Sequence, residues 1–381
     1  MLPDIVLHFS ALPDPRRDHP NKFHKLLDIV VIVIWATIAN QETWVDIADF
    51  ARDRETLFRT YLELPNGIPS HYTLRRTFTM IEAITFEALF CSWMEKQSPK
   101  TQEVIRHLQL DGKILCGTRS SGTGKVEQAQ EALNIVTLYS SSDRLVLKQG
   151  AVEAGSNEIP ALRQVLQGVN LENAVVSVDA LHAQTQTLTQ IKDQKGNYIV
   201  GVKKNQRKLY AGLKDLFGDV KDQSKLESFK TFDVKHGRQE ERCCYVLRDL
   251  EQLKDADCRI EEFTGLKSVL VMQKHTIRNG KVSSEQRYYL SSLEASAEDS
   301  YGFVRGHWAI ENQQHYILDV TFHEDANRTR TGFADRNLAL VRRMAFNILS
   351  LDEDKKVSMR RKRNKAAYND VFVQKLLGLI S

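Results

Sequence analysis

Cysteine, proline and tryptophan are all scarce in this 381-residue chain, with five, eight and four residues respectively. The cysteines, Cys91, Cys116, Cys243, Cys244 and Cys258, are odd in number, and no two stand at C-x-x-C spacing. That argues against a zinc ribbon or a disulfide framework and fits a reducing cytosol. Cys243 and Cys244 are expected to be strand residues rather than ligands. Long apolar runs are also missing. The longest, LLDIVVIVIWATIA at 26–39, is too short to span a bilayer and contains Asp28. It begins too late, behind acidic and proline residues, to read as a signal peptide. It reads as a buried helix, and the expected location is cytoplasmic with no membrane partner. There is no internal repeat and no low-complexity segment. Neither charge sign dominates: 53 basic against 49 acidic residues leaves a net charge of +4, which says little about partners by itself. The 42% hydrophobic content is enough for a substantial core, and the length suggests two or three domains.

Residues 1–95 carry helical periodicity. In ETWVDIADFARDRETLFRTYL, Trp44, Ile47, Phe50, Ala51, Leu57 and Tyr61 fall near helical spacing. LPNGIPSH breaks the pattern, and Ser70 is the expected N-cap of the next helix, which carries Arg75 and Arg76. From about residue 105 the texture changes. VIRHLQLDGKIL reads as a strand ending near Asp111, and ALNIVTLYS and RLVLKQGAVE continue a meander. EIPALRQVLQGVN is a helix, NAVVSVDA a buried parallel strand, TQTLTQIKDQKG a helix closed by Gly196, NYIVGVKK a fifth strand and NQRKLYAGLKDLF a third helix. The order βββαβαβα predicts a mixed sheet with helices on its faces. Residues 225–292 return to strands, as an insertion before a last helical stretch. Near the end, KKVSMRRKRNKAAYN is strongly basic.

Asp111 and Asp179 each stand at an expected strand end, and in this element order the two strands can be neighbours. Two carboxylates brought together repel unless a cation sits between them. Oxygen donors at an open sheet edge suit Mg²⁺, and a third acid from a helix across that edge would complete a site for phosphodiester chemistry. The plainer alternative is that each aspartate only caps a turn. Lys113, His182, Lys203, Lys204 and Lys208 lie nearby in sequence. In RGHWAIENQQHYILDVTFHED, the residues His307, Glu311, His315 and Asp319 recur every four positions and would climb one helix face. That spacing fits a histidine–carboxylate zinc or iron site, and equally a solvated face. Glu324 and Asp325 lie past the expected helix end, either as further ligands or as partners of Arg328 and Arg330.

LDGKILCG, VVSVDALHAQTQTLTQIKDQKGNYIVGVKKNQ, HGRQEER and RGHWAIENQQHYILDVTFHEDANRTRTGFADRNLALVRRMAFNIL together resemble bacterial insertion-sequence transposases of the DDE type. Within these, they resemble the branch that includes the H-repeat-associated proteins. The N-terminal stretches LPDPRRDHPNKFHKLLDIV, WVDIADFARDR and LPNGIPSHYTLRRTF resemble the associated N-terminal region of that branch. The likeness runs nearly the whole chain to about residue 350. It implies an α/β fold: an RNase H-like mixed-sheet catalytic domain with a β-strand insertion, preceded by a helical N-terminal domain. The implied organisation is a helical DNA-binding or assembly domain at 1–95, the first part of the core at 105–217, a β-rich insertion at 218–293, the last part with the glutamate helix at 294–351, and a basic tail at 352–381.

The same resemblance implies that Asp111, Asp179 and Glu311 are the catalytic acids and hold Mg²⁺, with Mn²⁺ as a substitute. Asp111 would bridge two ions, and Asp179 and Glu311 would hold one each. The implied reaction is cleavage at transposon ends, leaving a 3′-hydroxyl that attacks target DNA. Related transposases surround the glutamate with a tyrosine, arginine, glutamate and lysine signature. Here the arginine position is His307 and the lysine position Leu318, with Arg305 close by as a candidate substitute. Lys113, His182, Lys203, Lys204, Arg305 and His307 are the candidate phosphate contacts near the acids. Arg75, Arg76, Arg361, Lys362 and Arg363 are candidates farther out. The implied partners are double-stranded DNA, as terminal inverted repeats and target, and a second copy of the chain on that DNA, associated with the bacterial nucleoid. Three functional classes follow: an active transposase; a domesticated or inactive DNA-binding relative; and a metallohydrolase built on the histidine-rich helix. Mg²⁺ or Mn²⁺ dependence against tightly held zinc separates the first from the third.

Overall fold

Nearly every side chain between Leu26 and Ile38 is apolar, so this helix can be stable only if it is covered on all sides. In the computed structural model, which describes residues 4–97, 105–120, 131–180, 183–219, 226–235, 237–251 and 260–379, it is buried along its whole length. Asp28 is buried with it and accepts a hydrogen bond from the Leu64 backbone N–H at 3.1 Å. The N-terminal helices are α1 (Asp4–Phe9), α2 (Leu26–Ile38), α3 (Trp44–Asp53), α4 (Glu55–Phe58), α5 (His71–Met80) and α6 (Ala83–Gln97). Thr43 and Asp46 close a capping box on α3. Ser70 caps α5 as expected, its Oγ accepting from Thr73 N–H at 3.2 Å.

Among the described residues, nine strands form one sheet: β1 (Arg106–Leu115), β2 (Leu133–Ser140), β3 (Leu145–Ala151), β4 (Ala174–Val178), β5 (Asn197–Val202), β6 (Glu227–Lys235), β7 (Arg238–Leu247), β8 (Ser268–Arg278) and β9 (Lys281–Ser291). Their order is β3-β2-β1-β4-β5-β9-β8-β7-β6. β1–β4 and β4–β5 are parallel and the other pairs antiparallel. Helices α7 (Glu158–Leu166), α8 (Thr185–Asp193) and α9 (Arg207–Asp219) make the crossovers. This is the mixed sheet with helices on its faces that the element order predicts, and it agrees with the RNase H-like arrangement that the resemblance implies. Two details differ from the sequence reading. The strand carrying Asp111 does not end there: four further residues pair with β2, so Asp111 sits inside β1. The later strands do not stand apart either, because β9 pairs with β5 and prolongs the same sheet. Cys243 and Cys244 lie buried in β7, as expected of strand residues.

Gly196 does not close α8 through a left-handed conformation. Lys195 takes that role, with φ 62°. Gly196 is needed for close approach instead, since a Cβ there would lie 2.9 Å from Leu171 Cβ.

The C-terminal part consists of α10 (Ala297–Gly306), a π-helical turn Ile310–His315, α11 (Tyr316–Val320), α12 (Ala334–Ser350), α13 (Met359–Tyr368) and α14 (Asp370–Leu376). The long α12 shares one apolar core with α2 and α6, so the N-terminal helices and the end of the chain pack together. This corrects the reading of residues 352–381 as a basic tail. Lys362 is buried, with Nζ 3.0 Å from Asp352 Oδ2. Arg363 is fully buried, with Nη1 2.7 Å from Glu42 Oε1. Both are structural ion pairs rather than DNA contacts; Arg361, next to the buried Lys362, stays exposed. Among the described residues, no helix is long and apolar enough to cross a membrane.

Candidate active site

Side chains alternate across a strand, so the register of β1 against β4 decides which residues can meet. Leu110 pairs with Val178, and both face the apolar core on one side of the sheet. The next residue on each chain, Asp111 and Asp179, therefore faces the opposite side. So do His107 and Ser177, which lie beneath α10 on that face. Asp111, Asp179 and Glu311 line one cleft of about 640 Å³, together with Lys203, Lys204, Arg287, His307 and Trp308. β1, the end of β4 and the π-helical turn thus bring the three predicted acids to a common space.

The ladder of residues at four-residue spacing lies along the sheet, but it is not a regular α-helical face. α10 ends at Gly306, and the π-helical turn inserts an extra residue per turn where Glu311 sits; such turns recur at functional sites. His307 Nδ1 is 3.0 Å from Ser177 Oγ. His315 is buried, with Nδ1 3.9 Å from Asp111 Oδ2. Asp319 is turned away from the cleft and takes Lys113 Nζ at 2.5 Å. His307, His315 and Asp319 each meet a separate residue on β4 or β1, so these three dock the helix on the sheet and do not gather around one ion, while Glu311 faces the cleft. Ile310 is buried and anchors the turn. Trp308 stays at the rim, its ring flanked by the guanidiniums of Arg305 at 4.6 Å and Arg287 at 5.1 Å.

Lys203 grips Asp179, with Nζ 2.9 Å from Oδ1 and 3.0 Å from Oδ2. Burial pushes the Asp179 carboxyl up, but Lys203, the Ala180 N–H and His307 outweigh it and leave the group below its ordinary range. Asp111 Oδ1 accepts from the Gly112 N–H at 3.0 Å. The donor set is three carboxylates in an open, polar cleft, which fits a hard divalent cation and not zinc. Among the described residues, no three histidine, cysteine or carboxylate side chains already close to metal-ligating distance. Lys113 and Lys203 are engaged by Asp319 and Asp179, whereas Lys204 stands exposed on the cleft wall. Arg75 and Arg76 are exposed on the outer face of α5 and line two different surface grooves, away from the acids. His182 lies outside the described residues.

Sequence reading missed a hydrogen-bonded histidine–serine–histidine row behind the acids. His107 Nε2 is 3.0 Å from Ser177 Oγ, which also meets His307. Gly306 permits this, because a Cβ there would lie 2.7 Å from the His107 ring. The signal was a serine two residues before Asp179, and a single sequence gives no reason to notice it.

Burial pushes both His107 and His315 down to about 3, with His307 adding repulsion on the former and Arg343 and Lys113 on the latter. Both histidines are therefore neutral in the folded chain, while in the unfolded chain they protonate near 6.5. Between those values the unfolded state binds more protons, so stability is held above about pH 6.5 and falls as pH drops. The expected slope is at most about 1.4 kcal/mol per pH unit for each histidine. Buried Asp28 and Asp335 are pushed up by burial and act in the opposite sense, but only nearer the carboxylate range. Urea midpoints measured from pH 7 to 5 should decline, and His107→Gln should flatten the decline. A flat profile in the parent protein would contradict the buried neutral assignment.

Comparison with known families places these features in context. The "Transposase DDE domain" family model matches residues 103–348, and the "DDE_Tnp_1-associated" model matches residues 6–94. "Putative transposase YncI" of Escherichia coli O157:H7 is 33% identical, covering 99% of this chain and 95% of that one. "H repeat-associated putative transposase YhhI" of Escherichia coli K12 is 31% identical, with 99% and 98% covered. "Inactive transposase YbfQ" of the same strain matches only 20% of this chain, at 37% identity. Among solved structures, a piggyBac transposase synaptic complex with hairpin DNA aligns with a TM-score of 0.43 at 10% identity, over 98% of this chain and 76% of that one.

Proposed function

This chain belongs to the DDE transposase family, and from that premise we propose that it is an active transposase, cleaving DNA strands at transposon ends and joining them to target DNA. The observation that carries this reading is the convergence of Asp111, Asp179 and Glu311 on one cleft from three separate elements. In this reading these acids hold Mg²⁺, or Mn²⁺ in its place. The bound metal supplies activation of the attacking oxygen and stabilisation of the leaving one. The chain's own residues do the rest. Ile310 fixes the turn so that the Glu311 carboxylate has little freedom. Lys203 offsets the charge of Asp179. Lys204, Arg287 and Arg305 offer cations to the phosphates along the cleft rim. Each step exchanges one P–O bond for another, so water and the DNA 3′-hydroxyl are sufficient nucleophiles.

The test is a nicking and strand-transfer assay on duplexes taken from the genomic DNA on either side of the reading frame, where this reading expects terminal inverted repeats. Product should appear with Mg²⁺ or Mn²⁺ and vanish with a chelator. Tight DNA binding without nicking under either metal would instead favour an inactive DNA-binding relative. Joining two ends to one target requires coordination, so the productive complex is expected to hold at least two copies of the chain. Light scattering of the protein with paired-end DNA checks this, and a catalytically competent complex with one copy would refute it.

A further inference from the structure

One arginine that sequence reading assigned to the basic tail, Arg363, leads to a different site. It is buried with Arg342 and Arg343 of α12 around the turn at residues 321–324, and among the described residues the acids that pair with these three are the partly exposed Glu42 and the buried Glu324. Glu324 is taken by Arg343, with Nη1 2.5 Å from Oε1. Glu42 is taken by Arg363 at 2.7 Å. Arg342 is left with the Phe322 carbonyl, 3.2 Å from its Nε, and with Glu42 Oε2 at a distant 3.9 Å. Its Nη1 has no hydrogen-bond partner among the described residues, although the residue is only 4% exposed. The cluster thus carries one more positive charge than negative. A buried charge without a close counter-ion is strongly disfavoured unless something pairs with it.

Arg342 lines a cleft of about 460 Å³ between α3, α5 and the segment 323–331. Arg75 and Arg328 are exposed on its walls, and Arg330 lines it too. Among the described residues, the one acid lining it is Glu42, already paired with Arg363. Thr43, Asn327 and Thr329 add neutral donors. Guanidiniums around a polar concavity match phosphate oxygens in charge and in fork geometry. The cleft is also tied to the acids. Its 323–331 wall follows directly on the helix of Glu311, and Asp325 Oδ1 in that wall accepts from the Cys116 N–H, just beyond β1, at 2.6 Å.

We propose that this cleft is a phosphate-binding site for the backbone of duplex DNA, separate from the acid cleft, with Arg342 at its floor and Arg75 and Arg328 as its rim contacts. The proposal rests on the transposase reading, because it takes DNA as the ligand. Contacts of this kind position a duplex and carry no sequence preference.

The test uses the full chain and a 30-base-pair duplex of arbitrary sequence, titrated by fluorescence anisotropy from about 0.05 to 0.3 M salt. Arg75→Ala/Arg328→Ala removes two exposed side chains, so the fold should be kept, and the melting temperature checks that. Each phosphate contact contributes about 0.9 to the slope of log affinity against log salt. The double variant should therefore show a slope shallower by about 1.8 and, at 0.1 M salt, roughly 60-fold weaker binding. Arg144→Asn/Lys195→Asn is the charge-matched control, with both exposed residues in turns at the strand ends opposite the acids, and should keep the parent slope. Equal losses in both double variants would reduce the effect to net charge and overturn the site. Unchanged DNA binding with dissociation of a protein dimer would also overturn it, in favour of a carboxylate from a second copy. If the parent protein binds no duplex even at 0.05 M salt, the transposase reading itself fails, which neither of the other outcomes implies.

Discussion

Glu311→Gln is expected to abolish metal-dependent strand cleavage, with a loss of well over 100-fold. Removing a residue that merely supports a metal ligand typically lowers affinity or activity by about 10- to 100-fold, and removing a ligand itself should exceed that. Glutamine keeps the size of the side chain and its exposed position on the cleft wall, so the fold should not change. Binding to duplex DNA should also survive, because the substitution removes one carboxylate and leaves every proposed phosphate contact, at the cleft rim and in the Arg75–Arg328 groove, in place. The matched control is Asp319→Asn. Asp319 is eight residues farther along the same helical stretch and is committed to Lys113. It should retain activity within about tenfold, the smaller end of effects on supporting groups. A Glu311→Gln protein that nicks at the parent rate would remove Glu311 from the site. An Asp319→Asn protein as dead as Glu311→Gln would mean that the Lys113 pair, and not the cleft, carries the chemistry. Asp111→Asn and Asp179→Asn should match Glu311→Gln, since all three acids line one cleft.

What could be read from the sequence was what depends on local pattern. The β-branched run before Asp179 announced a buried parallel strand, and β1 and β4 are indeed neighbours in register. Ser70 announced a helix start, and its hydroxyl caps α5. The adjacent cysteines fell in a strand. What could not be read depends on which element packs against which. No pattern in KILCG says that β1 continues past Asp111, because its continuation is decided by pairing with β2. Nothing in the later strands says that they prolong the same sheet through β9 and β5. The π-helical turn at Glu311 is a departure of one residue that a four-residue spacing cannot reveal. The basic stretch near the end misled for a related reason. Cationic composition suggests a solvated face, yet Lys362 and Arg363 fold inward to meet Asp352 and Glu42, the latter some three hundred residues away in sequence. Glu324 and Asp325 were read either as further metal ligands or as partners of Arg328 and Arg330. Glu324 pairs instead with Arg343 on α12, and Asp325 with a backbone N–H beyond β1.

The Arg343–Glu324 pair yields the largest expected effect on stability. Both side chains are fully buried, and Arg343 Nη1 also donates to the Ala339 carbonyl at 3.0 Å. The attraction is strong in this setting, but so is the cost of stripping water from both ions, so the pair as a whole need not stabilise the fold. Breaking it is another matter. Glu324→Gln leaves Arg343 buried without its counter-ion in a cluster that already carries excess positive charge, and should destabilise the protein by about 3–5 kcal/mol. Urea denaturation should show a large drop in midpoint with little change in slope. Loss of activity in this variant would therefore report unfolding, which is why Asp319 and not Glu324 is the proper control for Glu311. The double change Glu324→Leu/Arg343→Met should recover much of the loss, since apolar side chains of similar volume often replace a buried pair at no net penalty. If Glu324→Gln leaves the midpoint unchanged, the turn at 321–324 must open to water in solution, and the excess buried charge beside it would no longer need an anion. The stability of this one variant thus also bears on whether Arg342 waits for a phosphate.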